Sequence, residues 1–497
     1  MSNTKNIIVV FSASVVFLIL TSLIIGNWFT DDAFISFRYA NNFLSGNGLV
    51  YNVGENVQGY TNFLWVLLLA ALKIFNLDYT FSALLINVLS YLLLVYTFYL
   101  IAKREYHNSN EKIILATLLF ASSPNLLIWS IGGGLEGPLF SFFCLISLLH
   151  FFTYKSNLNL ILGVIFAVLA TLTRPEGLLF FLFGLFYLLI NNKFKKGPKA
   201  FIFLLLSYLL LLAPYLIWLF WYYGDIIPNT FHAKVSSNFA QLKEGFRYSY
   251  RFFMSISLSS LFFFLAIKDY KTLSDSMKYY ANVFIVYLIY IIAIGGDFMF
   301  SYRFFTPIMP YFILVITSSI LNFSQRTISG EDKKTKSIFV FIMATIILFN
   351  LLSVSFLHKT EIRNYMMIEN GEITANYFNS NFPHNKTIAL SAIGAFGFYS
   401  KMKILDVLGL TNKEIALSKV SNNSDPVYSH NRSNARYVLD SKPDIILFGM
   451  PPGETLPVRY AEIEIYNNKF FKEHYLFTEK KITNNLFIKY YLYRKLK

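Results

Sequence analysis

The chain has 497 residues, of which 55% are hydrophobic, 19% aromatic and only 14% charged, with a formal charge of +15. A soluble globular domain carries about 25% charged residues, so a soluble protein is excluded over most of the length and a membrane protein is indicated. The Lys and Arg residues fall in short loops between apolar runs, which makes them a topology signal and a contact for anionic lipid rather than a nucleic-acid footprint.

The first apolar run, Ile7 to Ile25, is long enough to span and is followed by "GNWFTDDAF" rather than a small-residue cleavage site, so it reads as a retained first span. Further spans are expected near 79–102, 112–130, 138–154, 157–173, 177–191, 200–222, 251–267, 279–295, 304–322 and 337–357, about eleven in all. The segment 61–76 is short and interrupted by Lys73. If it does not span, "KREYHNSNEK", "NNKFKKGPK", "KDYKTLSDSMK" and "NFSQRTISGEDKKTK" all lie on the side of the N-terminus, which is then the cytoplasm. Segments 61–76 and 33–44 are therefore expected to be interfacial helices in a large first outer loop. The stretch 222–250 is expected to be a later outer loop. The expectation is a polytopic α-helical membrane domain over 1–357 and an extracytoplasmic α/β domain over 358–497. In that tail "KTIALSAI" and "KMKILDVL" read as strands, and "NARYVLDSKPDIILFG" as helix, turn and strand. The turn "AIGAFGF" lacks the full dinucleotide fingerprint and reads as a plain strand-to-helix turn. The single cysteine, Cys144, lies in an apolar run and excludes an intrachain disulfide.

The strongest chemical signal is "DDAFISFRYANNFLSGNGLVYNVGENVQGYTNFLW". Asp31 and Asp32 directly follow the first span. One Asp would suffice to cap the next helix; two adjacent carboxylates at a low-dielectric surface repel each other, which favours a functional role. One carboxylate would act as general base toward an attacking hydroxyl and the other would orient it or hold a cation. In the chosen topology Glu136 ("GGGLEGP"), Arg174 and Glu176 ("TRPEG"), Asn229, Thr230, His232 and Lys234 ("PNTFHAK"), and Asp297 and Arg303 ("GGDFMFSYR") fall on the same side. Carboxylates together with Arg and Lys outside a bilayer suit sugar transfer from a lipid phosphate. The leaving phosphate needs cations, the acceptor hydroxyl needs a base, and the lipid needs a membrane groove. Arg38, Arg174, Lys234 and Arg303 are the candidate phosphate ligands. Tyr60 and Asn62 complete the candidate substrate-binding set; Tyr39, Tyr51 and Tyr60 lie near enough in sequence to stack on sugar, but an interfacial aromatic belt is the better account of them.

The first-loop stretch, with "TRPEG", "IPNTFHAK", "GGDFMFSYRFFTPIMP", "LDVLGLTNKEIA" and "SHNRSNARYVLDSKPDIILFG", resembles the mycobacterial terminal arabinofuranosyltransferase family and related bacterial membrane proteins, one of them linked to flagellar motor control. The resemblance runs through nearly the whole chain in order. It implies a GT-C glycosyltransferase with a polyprenyl-phosphate sugar donor, a glycan acceptor, a site on the outer face of a bacterial cytoplasmic membrane, and an inverting single displacement served by Asp31 and Asp32. It also implies an acceptor-binding role for the tail. The family's Gly-His pair reads Ser429-His430 here, which weakens any role for His430. Asp31 is expected to be the base because it emerges first from the span. No cofactor is required: a divalent ion on Asp31, Asp32 and Asp297 is conceivable on chemical grounds, but a monophosphate can leave on Arg and Lys alone. A flippase for lipid-linked sugar and a non-catalytic assembly factor are the competing readings, and the absence of internal repeats counts against the first.

Overall fold

Inside hydrocarbon every backbone N–H and C=O must be satisfied within its own segment, so the apolar runs fold as helices. A computed structural model describes residues 3–26, 28–107, 109–154, 156–190, 198–234, 239–327, 332–356, 358–418, 432–483 and 486–495. In chain order the helices are α1 (Asn3–Ile25), α2 (Asp31–Leu44), α3 (Phe63–Ile74), α4 (Tyr79–Glu105), α5 (Asn110–Ala121), α6 (Pro124–Ile131), α7 (Gly137–Phe152), α8 (Asn157–Thr173), α9 (Gly177–Ile190) and α10 (Pro198–Tyr223). They continue with α11 (Asn229–Lys234), α12 (Phe239–Ser255), α13 (Ser257–Lys268), α14 (Asp275–Ala293), α15 (Met309–Thr327), α16 (Asp332–Phe356) and α17 (His358–Asn381). The protein is a multi-pass membrane protein. Among the described residues six helices are long and apolar enough to cross a bilayer, and up to eight if the bent pairs α5–α6 and α12–α13 each count as one span. α7, α8 and α9, over three further expected spans, have 16, 17 and 14 residues.

The α5–α6 bend has a local cause that hydropathy does not register. Pro124 has no N–H and disfavours helical geometry in the residue before it, so α5 stops and α6 leaves at 55°. The hydroxyls of Ser122 and Ser123 donate to the Leu119 carbonyl at 3.0 and 3.4 Å, meeting acceptors that the break exposes. The break at Ile256 is sharper, at 107°. The expected span 251–267 is thus divided between α12 and α13. The expected outer loop 222–250 is in large part helical, forming α11 and most of α12, because its small and aromatic residues Gly245, Tyr248, Ser249 and Phe252 recur at helical spacing. Segments 33–44 and 61–76 form α2 and α3, both too short to span.

The chain divides into two compact units. The first comprises 1–27, 83–213 and 242–359. In it α7, α8 and α9 meet closely because Gly163 and Gly184 lie against the Phe151 ring, where a Cβ on either would overlap it; small residues at such crossings are the general device of membrane helix packing. The span ending in α15 runs through the interior of this unit, with 83% of its apolar window buried against 22% for α1.

The second unit comprises 28–82, 214–241 and 360–497, so the tail folds together with the loop that follows the first span. Its sheet has β1 (Thr387–Leu390), β2 (Lys403–Asp406), β3 (Ile445–Leu447), β4 (Tyr475–Lys481) and β5 (Phe487–Tyr493) in the order β2-β1-β3-β5-β4. β1 pairs in parallel with β2 and β3, and β5 pairs antiparallel with β3 and β4. The strands read in "KTIALSAI", "KMKILDVL" and "PDIILFG" are β1, β2 and β3. The apolar core includes Leu405, Ile415, Val438, Ile446, Phe448, Ile465 and Phe471.

Candidate active site

Asp31 and Asp32 open α2. The residue before the helix, Thr30, is extended (φ −88°, ψ 152°) and takes the cap position, so neither Asp is the cap. Two carboxylates in the first turn complement the positive end of the helix. The two side chains then go to different partners. Asp31 Oδ1 accepts the Ala395 N–H at 2.7 Å and Oδ2 accepts the Gly394 N–H at 2.9 Å. Gly394 is the cap residue and Ala395 the first residue of α18 (Ala395–Tyr399), at the end of the turn that follows β1. A Cβ on Gly394 would collide with the Asp31 backbone, so only glycine lets the turn approach this closely. Burial pushes the Asp31 carboxyl up from 3.8 to about 6, against the pull of the two N–H groups and with the neighbouring Asp32 charge adding to the rise. Asp32 Oδ2 instead lies 3.6 Å from Lys234 Nζ, at the end of α11, and both side chains keep about a quarter of their surface exposed.

Arg38 lies two turns along α2, and its guanidinium is surrounded by acceptors. Nε donates to Tyr51 O at 2.7 Å, Nη1 donates to Gly397 O, and Nη2 donates to Asn52 Oδ1 and Met402 O at 3.3 Å each. The guanidinium also stacks 4.4 Å from the Tyr51 ring centroid, and Tyr51 OH donates to Ile393 O at 2.5 Å. Beside it Asn52 works as an extra rung of the sheet. Its Nδ2 donates to Ile404 O at 2.8 Å and its Oδ1 accepts the Ile404 N–H at 3.1 Å, closing the outer edge of β2.

The other first-loop candidates are internal. Tyr60 OH lies 3.1 Å from Tyr223 OH, and Asn62 Nδ2 donates to Ser36 Oγ at 3.1 Å; both residues are buried. Tyr39 and Tyr51 are fully buried as well, so their rings pack against protein. Asn229 Nδ2 donates to Gly409 O at 2.7 Å and Leu410 O at 3.0 Å. These carbonyls belong to a turn held by Asp406, whose carboxylate accepts the Leu408 and Thr411 N–H groups at 2.9 and 2.8 Å. Burial raises Asp406 to about 6 as well. His232 Nε2 lies 3.1 Å from Asp225 Oδ2. Ser429 and His430 lie outside the described residues.

The first unit carries a second polar cluster. Arg174 donates to Glu136 Oε1 at 2.6 Å and Glu176 Oε1 at 2.9 Å, and Tyr290 OH donates to the same Glu176 oxygen at 3.0 Å. Arg303 pairs with Asp297. Both guanidiniums sit over Phe304, at 5.2 and 5.3 Å from its centroid. Glu136, Arg174 and Arg303 line one cavity with Trp129, Tyr287 and Phe304. Ser301 and Tyr302, just before Arg303, adopt left-handed backbone (φ 58° and 50°), a strain that concentrates at functional positions. Among the described residues no group of three or more His, Cys, Asp or Glu side chains is arranged to hold a metal ion.

The sequence reading named Asp31, Asp32, Lys234, Arg174 and Arg303, which the structure places in these two polar clusters, and did not single out Asn52, Gly394 and Asp406. Asp406 lies in "LDVLGL" and Gly394 in "AIGAFGF"; the signal available was an Asp closing one strand and a Gly in the turn that follows another.

Residues 63–218 match the family described as dolichyl-phosphate-mannose-protein mannosyltransferase, and residues 360–485 match a domain of unknown function (DUF8728). Among solved structures, ArnT from Cupriavidus metallidurans bound to undecaprenyl phosphate aligns with a TM-score of 0.55 at 11% identity, covering 81% of this chain and 86% of that one. The same protein in the apo state aligns with a TM-score of 0.54 at 10% identity and the same coverage. No curated protein matches the chain in sequence. The fold is that of the GT-C membrane enzymes.

Proposed function

We propose that the protein transfers a sugar from a polyprenyl-phosphate donor to a cell-surface glycan, on the outer face of the cytoplasmic membrane, by inverting single displacement. The observation that carries this is the divergence of the two adjacent carboxylates, Asp31 onto backbone N–H groups and Asp32 onto Lys234. The mannosyltransferase match over 63–218, the GT-C fold and the undecaprenyl phosphate bound to ArnT support a lipid-phosphate donor. The first-loop resemblance to terminal arabinofuranosyltransferases supports a glycan acceptor.

Both Asp31 oxygens accept N–H donors, which stabilises its ionised form and fixes its position. We therefore assign the base to Asp32 and the positioning of α2 to Asp31, the reverse of the order expected from the chain alone. In the resting protein Lys234 neutralises Asp32. A donor phosphate competes for Lys234, leaving Asp32 to accept the proton of the acceptor hydroxyl. That oxygen then bonds the anomeric carbon while the carbon–oxygen bond to phosphate breaks, and Lys234 meets the charge left on the phosphate. Arg38, whose donors are taken by carbonyls, orders the loop. Glu136, Arg174, Glu176, Asp297 and Arg303 are assigned to substrate binding, Asn229 to holding α11 and hence Lys234, and the tail to the acceptor.

The test is transfer by the full-length protein in nanodiscs with a labelled polyprenyl-phosphate sugar. Asp32→Asn is expected to lower kcat by roughly 10²- to 10⁴-fold, the range of general base catalysis, while polyprenyl phosphate binding persists. Lys234→Met is expected to raise the donor KM. Wild-type kcat in Asp32→Asn would refute the assignment.

A further inference from the structure

From Leu242 onward, α12 presents three rows of side chains. Gly245, Tyr248, Ser249 and Phe252 face inward: a Cβ on Gly245 would collide with the Ile292 carbonyl, and Phe252 stacks on Phe305 with centroids 3.6 Å apart. The outer side carries Leu242, Phe246, Tyr250 and Met254 at four-residue spacing, all exposed, with Phe246 and Tyr250 at 62% and 65%. Displaced by one residue from that row run Lys243, Arg247 and Arg251, also exposed. Residues four apart stack on one face of a helix, so an apolar strip lies parallel to a basic strip.

This helix does not suit hydrocarbon, because Lys243, Glu244, Arg247 and Arg251 fall within nine residues and charged side chains are costly at a bilayer centre. Water does not suit it either, because large apolar side chains form a continuous exposed row. Arg247 shares its charge with Glu244 at 2.8 Å. Among the described residues no carboxylate pairs with Lys243 or Arg251, and the four charges sum to +2. The 107° turn at Ile256 then takes the chain from this charged helix into apolar α13. We propose that α12 is a membrane-surface helix, with Phe246, Tyr250 and Met254 among the acyl chains and Lys243, Arg247 and Arg251 docked on anionic phospholipid headgroups of the bilayer.

Cys144, the single native cysteine, is buried, so an introduced cysteine can be spin-labelled alone. In nanodiscs of phosphatidylcholine with phosphatidylglycerol, a label at Phe246→Cys is expected to be reached by oxygen and shielded from an aqueous nickel chelate, and a label at Lys243→Cys to show the opposite. Equal access of the chelate to both would mean a face open to water or to a soluble partner and would overturn the proposal. In a second arm, the Lys243→Gln, Arg251→Gln variant is expected to retain roughly 30-fold less phosphatidylglycerol on dilution, the factor set by two basic side chains near an anionic surface, with phosphatidylcholine retention unchanged. Both changes lie on exposed side chains, and an unchanged melting temperature verifies folding. Undiminished phosphatidylglycerol retention would overturn the headgroup contact.

Discussion

Asp31 and Asp32 are chemically identical and adjacent, yet their surroundings separate them. Asp31 is held by the Gly394 and Ala395 N–H groups and titrates at about 6, well above the ordinary 3.8. The sign of the consequence follows from that rise. Between about pH 4 and pH 6 the folded chain binds a proton at Asp31 that the unfolded chain has lost, so this group's contribution to stability is greatest below that window and falls as pH rises through it. Activity runs the other way. A protonated Asp31 gives up one of its two N–H contacts, so transfer is expected to fall on the acid side with a midpoint near 6. In Asp31→Asn the amide presents one acceptor at every pH, so transfer is expected to be reduced throughout and the limb near pH 6 to disappear from the pH–rate profile, leaving only the fall set by the base itself. A limb unchanged in this variant would assign the ionisation to another group.

The decisive element is the turn from β1 into α18, which lies against α2. Gly394→Ala places a methyl group where the Asp31 backbone stands and is expected to lower kcat by at least tenfold while leaving donor KM close to wild type, because α2 moves and α11 does not. Asn52 offers a separable check, since its amide pairs with the backbone of β2 and with Glu55, not with either aspartate of the first loop. Asn52→Ala leaves the Ile404 N–H and carbonyl without that partner and is expected to cost about 1–3 kcal/mol, seen as a lower melting temperature. β4 and β5 were not singled out in the sequence, but strands β1, β2 and β3 and helices α2 and α3 were legible there, because alternation and apolar spacing are local properties. The turn's role was not. "AIGAFGF" reads as an ordinary strand-to-helix turn, and nothing in its letters says that a carboxylate fills it. The helix α12 escaped notice because its inward face is built from Gly, Ser and Tyr, which an apolar-run reading passes over.

At the scale of the molecule, the tail and the first loop belong to one compact unit with 214–241. Removal of 360–497 would leave Arg38, Tyr51, Asn52 and Asp31 without the backbone groups they bind. A chain truncated at residue 359 is therefore expected to lose transfer entirely and to expose the first loop to limited proteolysis. A first loop that stays protected would show that it folds without the tail.

Hydropathy and charge accumulate along a chain whatever its fold, since a bilayer demands a long apolar run and each loop's Lys and Arg act near their own span ends. The sequence by itself therefore determined that the protein is a multi-pass membrane protein, where its apolar runs lie, and that acidic residues stand directly after the first. It did not determine what those residues touch. Gly394 is 363 positions from Asp31, and Arg38 and Asn52 meet carbonyls and N–H groups that every residue type carries alike. Backbone partners leave no signature in residue identity, so only the tertiary structure decided which aspartate is held, which stands beside a lysine, and that Arg38 faces carbonyls.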